Sequence, residues 1–190
     1  MLTKEEIDFA IRNKDDFVKM DYLRRFLREA DSLDIKKYLL LRLASICEER
    51  GIFSEAVRHV AKAAEIAITY REKIDLYMKE TELYVKNFEF DSADKSLGLA
   101  MSYANSQEKM ELQIKNLDFY RAHGRTSEKA DKKRKAIEVY ERLIQLKQPI
   151  EKKIEVKEKL IELYDKLGRV RDAERMKHLE FQERPRIEFD

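Results

Sequence analysis

Apolar residues recur at a spacing of three and four residues along almost the whole chain, and no stretch keeps up an alternation of apolar and polar residues. This is the period of an α-helix with one buried face. Only 4 glycines and 2 prolines interrupt the 190 residues, too few for the turns of an all-β protein and unlike a disordered chain. The pattern therefore predicts an all-α protein of about ten helices.

Short breaks separate the predicted helices. Thr3, three residues before a glutamate, forms a capping-box pattern at the first helix. Gly51, Gly124 and Gly168 are predicted to end helices, because glycine is favoured just beyond a helix C-terminus. Ser127 is predicted to open a long helix of its own.

An internal repeat accompanies the helical period. Ala56, Ala93, Ala136 and Ala173 each follow a predicted turn, and successive members lie 37, 43 and 37 residues apart. We interpret the middle interval as the same period with an insertion. Helical pairs that cannot bury their apolar faces alone become stable when they stack, so the spacing predicts a helical repeat protein.

The residues around these alanines resemble the columns of tetratricopeptide repeat (TPR) proteins. That family places a large residue, a Leu-Gly pair and a tyrosine on the first helix of each unit, and an alanine and an aromatic residue on the second. The corresponding residues, unit by unit, are Leu40, Leu43, Ala44, Cys47, Ala56 and Val60; Tyr77, Thr81, Tyr84, Ala93 and Leu97; Leu117, Tyr120, Ala136, Tyr140 and Pro149; and Leu160, Ile161, Tyr164 and Ala173. The resemblance covers residues 36–182.

The third unit departs from this pattern. Twelve residues separate the small-residue column of the first helix from the alanine column in the other units, whereas Leu117 and Ala136 are 19 residues apart. Gln113 and Lys157 also make the family's tryptophan column polar in the last two units.

The resemblance implies antiparallel helical hairpins stacked as a right-handed TPR-like solenoid. It predicts a single helical domain over residues 1–183, with capping helices in 1–34, four hairpin repeats in 35–183 and a C-terminal tail in 184–190. The alternative is an irregular helical bundle whose periodicity is coincidental.

The sequence contains no recognisable catalytic or metal-binding motif. Cys47 is the only cysteine, and its place in a core column predicts a buried, inert thiol. His59, His123 and His178 are far from one another and from Cys47 in the sequence, without the spacing of metal ligands. Nucleotide-binding and nucleophile-elbow motifs are missing as well. We therefore expect neither an enzyme nor a cofactor.

Cysteine usage and hydropathy favour a cytoplasmic protein. A single cysteine fits a reducing compartment, the charged N-terminus lacks the apolar core of a signal peptide, and the apolar runs are too short for a membrane span.

The resemblance also implies a concave groove lined by the first helix of each repeat. Its predicted residues form an apolar strip beside a basic and an acidic ladder. They are Tyr38, Leu41, Arg42 and Ser45; Met78, Lys79 and Glu82; Ile114, Lys115 and Asp118; and Glu158, Lys159 and Glu162. Such a groove suits an amphipathic or extended peptide of mixed charge. The alternative is that charges three residues apart on one helix simply pair with each other.

One TPR subclass binds the acidic tails of heat-shock chaperones through a clamp of lysine and asparagine. The matching positions here hold Leu41, Ser45, Glu82 and Asp118, so the clamp is not expected. The predicted function is a non-catalytic scaffold that binds another protein or peptide partner. Apolar end faces, including Phe17, make a second copy of the chain an alternative partner.

A local excess of basic residues provides the second functional hypothesis. The 40 Lys and Arg nearly cancel the 38 Asp and Glu, which excludes a bulk polyanion binder, but residues 121–148 hold 9 basic and 4 acidic residues. The basic patch consists of Arg125, Lys129, Lys132, Lys133, Arg134 and Lys135. It suggests a ribosome- or RNA-associated factor, although no aromatic residues are interleaved for base stacking.

Overall fold

The computed structural model describes residues 3–181, which form ten α-helices and no β-strand. The helices are α1 Lys4–Ile11, α2 Asp16–Glu29, α3 Leu33–Glu49, α4 Phe53–Glu65, α5 Tyr70–Lys86, α6 Phe90–Ser102, α7 Ser106–Lys129, α8 Lys133–Gln145, α9 Ile150–Lys166 and α10 Val170–Lys177. The all-α prediction is confirmed. In the described part of the chain no helix combines the length and apolar content needed to cross a bilayer.

The predicted capping box at Thr3 is present. The Thr3 hydroxyl accepts the amide of Glu6, and the Glu6 carboxylate accepts the amide of Thr3 in return. The same reciprocal arrangement joins Thr69 and Glu72 at the start of α5. These bonds satisfy amides that have no partner within the helix.

Four hairpins, α3–α4, α5–α6, α7–α8 and α9–α10, close with the same turn. Each turn contains one residue with left-handed backbone; these are Gly51, Phe88, Asp131 and Gly168, with φ of 72°, 63°, 54° and 68°. The next amide donates to the carbonyl five residues earlier over 2.8–3.0 Å in all four turns. This bond is the signature of the Schellman ending of a helix. The repeat seen in the sequence is therefore present in the local backbone.

The repeat alanines occupy one position in these hairpins. Each lies five residues after the left-handed residue, in the first turns of the second helix, and at most 1% of its surface is exposed. A methyl group at this point allows the paired helices to approach closely. The second helices α4, α6 and α8 each contain 13 residues, which shows how regular the unit is.

The third hairpin follows the common pattern in a different register from the predicted one. α7 continues through Gly124 to Lys129, so the predicted helix end at Gly124 and helix start at Ser127 are both wrong. The second helix begins instead at Lys133. With Gly124 in the small-residue column, Ala136 follows 12 residues later, as in the other three units.

Gly124 serves close packing rather than a turn. A Cβ atom at this position would lie 2.5 Å from Cε1 and 2.7 Å from Cζ of Tyr140. The Tyr140 ring is 2% exposed, and its hydroxyl donates a hydrogen bond to Glu128, so the ring cannot easily move away. α7 and α8 therefore meet at a point where a larger side chain does not fit.

The extra residues of the third unit lengthen the first helix of the hairpin. α3, α5 and α9 have 17 residues each, whereas α7 has 24. The additional length lies at the start of α7, because the distance from Gly124 to the turn matches that of the other units. The insertion was predicted, and the structure places it before the turn, at the start of α7.

Contacts divide the chain into two compact units, Met1–Asn116 and Leu117–Asp190. The core of the first unit includes Leu23, Leu39 and Leu43, all with 0% exposure. Buried residues of the second unit include Leu143 and Leu160. The predicted tail, 184–190, lies outside the described residues.

Candidate functional site

Three of the predicted groove cations form ion pairs between successive first helices. They occupy the same position in their units, two residues before the small-residue column. The pairs are Arg42 with Asp8 at 3.1 Å, Lys79 with Glu48 at 2.8 Å and Lys159 with Glu128 at 3.2 Å. These cations therefore hold the first helices of neighbouring repeats together, and their charge is already compensated by carboxylates of this chain.

Tyr38 shares the carboxylate that binds Arg42. Its hydroxyl donates to Asp8 Oδ2 over 2.6 Å. Partial burial, followed by this hydrogen bond and the negative charge of Asp8, raises the pKa of Tyr38 to about 12. Tyr38 and Arg42 thus attach α3 to α1.

A four-residue charge network joins α3 to α5 in the first unit. Lys86 lies 2.6 Å from Glu48 and 2.5 Å from Glu82, and Lys79 lies 3.0 Å from Glu82. Burial acts to raise the pKa of both carboxyl groups, but the hydrogen bonds and charges of the two lysines outweigh it and lower both pKa values. The network therefore holds α3 against α5.

The alternative interpretation was that predicted groove charges three residues apart pair with each other. Only one of the three such pairs forms. Lys79 does bind Glu82. Asp118 instead accepts from Arg121 at 3.0 Å, and Glu162 pairs with Lys166 at 2.5 Å.

Met78 does not line a surface, contrary to the prediction. Its side chain is 1% exposed, because α5 packs against α4 and α6 and encloses this position. Leu41, at the same position of α3, is 36% exposed. The predicted apolar strip therefore loses its middle member.

The predicted third-unit groove residues lie seven positions too early in the repeat. Because Gly124 is the true column residue, the positions equivalent to Leu41 and Arg42 are Arg121 and Ala122. Ile114 and Lys115 are exposed on α7, but Lys115 does not continue the paired ladder. The 19-residue interval was the signal of this error in the sequence.

Two apolar residues are prominent on the surface of α7. Met110 is 61% exposed and Ile114 is 59% exposed. Four residues apart on a helix, their side chains lie on one face as neighbours. Met110 belongs to the part of α7 that the other first helices lack. Ile114 was among the predicted groove residues and Met110 was not, although their four-residue spacing is visible in the sequence.

The basic patch divides between two helices. Arg125 and Lys129 lie on α7, Lys132 is the N-cap of α8, and the other three residues form the first turn of α8. All except Lys133 are exposed, and Lys133 lies 2.8 Å from Asp131. The first turn of α8 contains no acidic residue, so its three cations stand at the positive end of the helix dipole.

Cys47, Glu55 and His59 meet beside the first repeat turn. One potential ligand atom from each residue lies within 4.8 Å of the other two, and Cys47 Sγ lies 3.9 Å from Glu55 Oε2. His59 is therefore close to Cys47 in space, although 12 residues separate the two in the sequence. The hairpin folds residues 47 and 59 together, which separation along the sequence does not reveal. The prediction that Cys47 is buried is confirmed, with 0% exposure.

No family model and no curated protein matches this chain. A solved structure with partial similarity is BtubC (BKLC) from P. vanneervenii, which is 13% identical over 97% of this chain and 84% of that chain, with a TM-score of 0.42. That likeness fixes neither the arrangement of the helices nor an activity.

Proposed function

We propose that this protein is a non-catalytic scaffold whose hairpins stack as a TPR-like right-handed solenoid and bind a protein or peptide partner in the cytoplasm. The recurrence of one hairpin four times, with the same turn and the same buried alanine, carries the proposal. Repeated units that pack on their neighbours generate extended surfaces, and proteins of this type use such surfaces for binding.

The partner contacts proposed here are mainly apolar. Arg42, Lys79 and Lys159 already have carboxylate partners, so a ligand would have to displace those partners to use the cations. Leu41, Met110 and Ile114 remain exposed in the first unit. An amphipathic helix offers the matching surface, because its apolar face covers side chains spaced by one helical turn.

Affinity capture from native cell extract tests this surface with a matched pair of variants. We expect Ile114→Glu to lose the partner, since a carboxylate in an apolar contact must be desolvated. Ile68→Glu is the control, because Ile68 is 78% exposed in the loop before α5 and the change in charge and volume is the same. Capture that is unaffected by Ile114→Glu, or lost equally in Ile68→Glu, would reject α7 as the binding surface.

The second candidate function is RNA binding by the basic patch. The observation that favours it is the run of cations in the first turn of α8 without a neighbouring acid in that turn, since such residues are unfavourable for the helix itself. Phosphate groups bind to clusters of lysine and arginine of this kind.

Binding to bulk RNA at low and at physiological salt tests this candidate. We expect a steep loss of affinity with salt, and a shallower slope in Lys132→Glu/Arg134→Glu. The control is Arg58→Glu/Lys95→Glu, which reverses two exposed charges in the first unit. Absence of RNA binding at low salt, or equal effects of the two double variants, would exclude the patch.

A further inference from the structure

We propose that Cys47, Glu55 and His59 form a binding site for Zn²⁺. The site is distinct from the proposed partner surface and does not depend on it. Thiolate, imidazole and carboxylate are the three ligand types that proteins use for this ion. Three protein ligands leave a fourth position of the tetrahedron for water.

The hairpin places the three side chains in one cluster. Cys47 lies in the last turn of α3, and its carbonyl accepts the amide of Ile52 at 2.8 Å to close the turn. Glu55 and His59 follow on α4, four residues apart and therefore on one face. The turn that defines the repeat thus also brings the thiol next to that face.

The distances within the cluster require only a small contraction. Zinc–ligand bonds of 2.0–2.3 Å place tetrahedral ligand atoms about 3.5 Å from one another. The potential ligand atoms here are at most 4.8 Å apart, so side-chain shifts of about 1 Å suffice. The Glu55 side chain is 42% exposed and has the freedom to make such a shift.

His59 brings an unsatisfied nitrogen to the cluster. Its Nδ1 atom is buried without a hydrogen-bond partner. A neutral imidazole has one nitrogen with a lone pair to donate to a metal ion. A nucleophilic role for Cys47 is disfavoured, because a fully buried Sγ offers no route for a substrate.

Metal binding exchanges a proton for the ion. Cysteine binds Zn²⁺ as the thiolate, so the Cys47 thiol gives up its proton when the ion binds. Zn²⁺ displaces that proton to form the Zn–S bond, and one proton passes to the buffer for each ion bound. Calorimetry in buffers of different ionisation enthalpy measures this proton.

Arg24 is the competitor of the ion. Its Nη2 atom lies 3.3 Å from Glu55 Oε2 in the structure described here. A divalent cation at the cluster would bind the Glu55 carboxylate in place of Arg24 and repel the Arg24 guanidinium. Arg24→Gln should therefore tighten metal binding, which is the reverse of what a merely structural side chain would do.

The experiment titrates the reduced, metal-free full chain with Co²⁺ as a spectroscopic probe and then with Zn²⁺ as competitor. We expect one Co²⁺ per chain with a thiolate-to-cobalt charge-transfer band, displaced by Zn²⁺. Cys47→Ser should lose the band, and His59→Gln and Glu55→Gln should weaken binding about tenfold or more, as even outer-shell partners do. His178→Gln is the control, because His178 is exposed on the C-terminal side of α10.

Thermal unfolding guards against variants that simply fail to fold. Zn²⁺ should raise the Tm of the unaltered chain and of His178→Gln, but not that of His59→Gln, whose side chain lies at the partly exposed edge of the core. A missing charge-transfer band in the unaltered chain overturns the proposal. So does binding that survives Cys47→Ser and His59→Gln, or that His178→Gln weakens equally. None of these results bears on partner capture.

Discussion

At the scale of single residues, the glycines of this chain have different physical roles. Gly124 lies against the Tyr140 ring, whereas a Cβ at Gly98, in α6, would meet no atom within 4 Å. The sequence alone presents both as isolated glycines. This is why Gly124 was predicted to end a helix: close approach of another element is a property of packing, and local pattern does not encode it.

The two glycines therefore predict opposite effects of one substitution. Gly98→Ala should raise the free energy of unfolding by up to about 1 kcal/mol, because alanine is the better helix former and nothing obstructs it. Gly124→Ala should lower it by about 1–3 kcal/mol, because the new methyl group overpacks the Tyr140 ring. Urea unfolding of both variants measures the difference. Equal changes in the two would show that Tyr140 does not confine Gly124.

At the scale of the hairpin, the common turn tolerates non-glycine residues at a cost. Asp131 adopts φ of 54° where Gly51 and Gly168 occupy the same position. We expect Asp131→Gly to be more stable than Asp131→Ala by about 1 kcal/mol, since the left-handed region disfavours a Cβ. Both variants remove the Lys133 ion pair, so their comparison isolates the backbone. Chemical denaturation of the pair tests this, and equal stability would contradict the shared-turn assignment.

The charge network between α3 and α5 predicts a pH dependence. The pKa values of Glu48 and Glu82 are lowered from 4.5 in the folded protein. The two carboxylates therefore add to the free energy of unfolding above pH 4.5, and this contribution is lost as the pH falls through their pKa values in the folded protein. Glu48→Gln should cost about 1 kcal/mol at pH 7, a modest value because the pairs are partly open to solvent. The cost should shrink towards pH 3, as urea titrations at several pH values will measure. Glu65→Gln, at an exposed position of α4, should change stability by less than about 0.5 kcal/mol at any pH.

At the scale of the whole chain, the two compact units predict separate responses to core damage. Leu143→Ala in the second unit and Leu43→Ala in the first each remove a fully buried side chain and should cost about 2–5 kcal/mol. Hydrogen exchange should lose protection mainly in residues 117–181 for the first variant and mainly in 3–116 for the second. Uniform loss in both variants would show a single cooperative unit.

The sequence predicted what depends on local pattern. Helical period, the caps and turns at Thr3 and Gly51 and the alanine column are all set by neighbours along the chain, and each is confirmed. The burial of Met78 and the closeness of His59 to Cys47 were not predicted, because both come from contacts with other helices. The helix ends of the third repeat were predicted wrongly for a related reason, because a helix can be lengthened without any break in its apolar period.

The lengthened start of α7 shows how the length of this helix can vary. Seven residues make almost two full turns, so adding them extends a helix by about 10 Å while its faces keep nearly the same direction. Met110 stands on the added part, and the hairpin contacts around Gly124 lie well beyond it. The start of α7 can thus lengthen or shorten in steps of two turns without altering the packing of Gly124 against Tyr140.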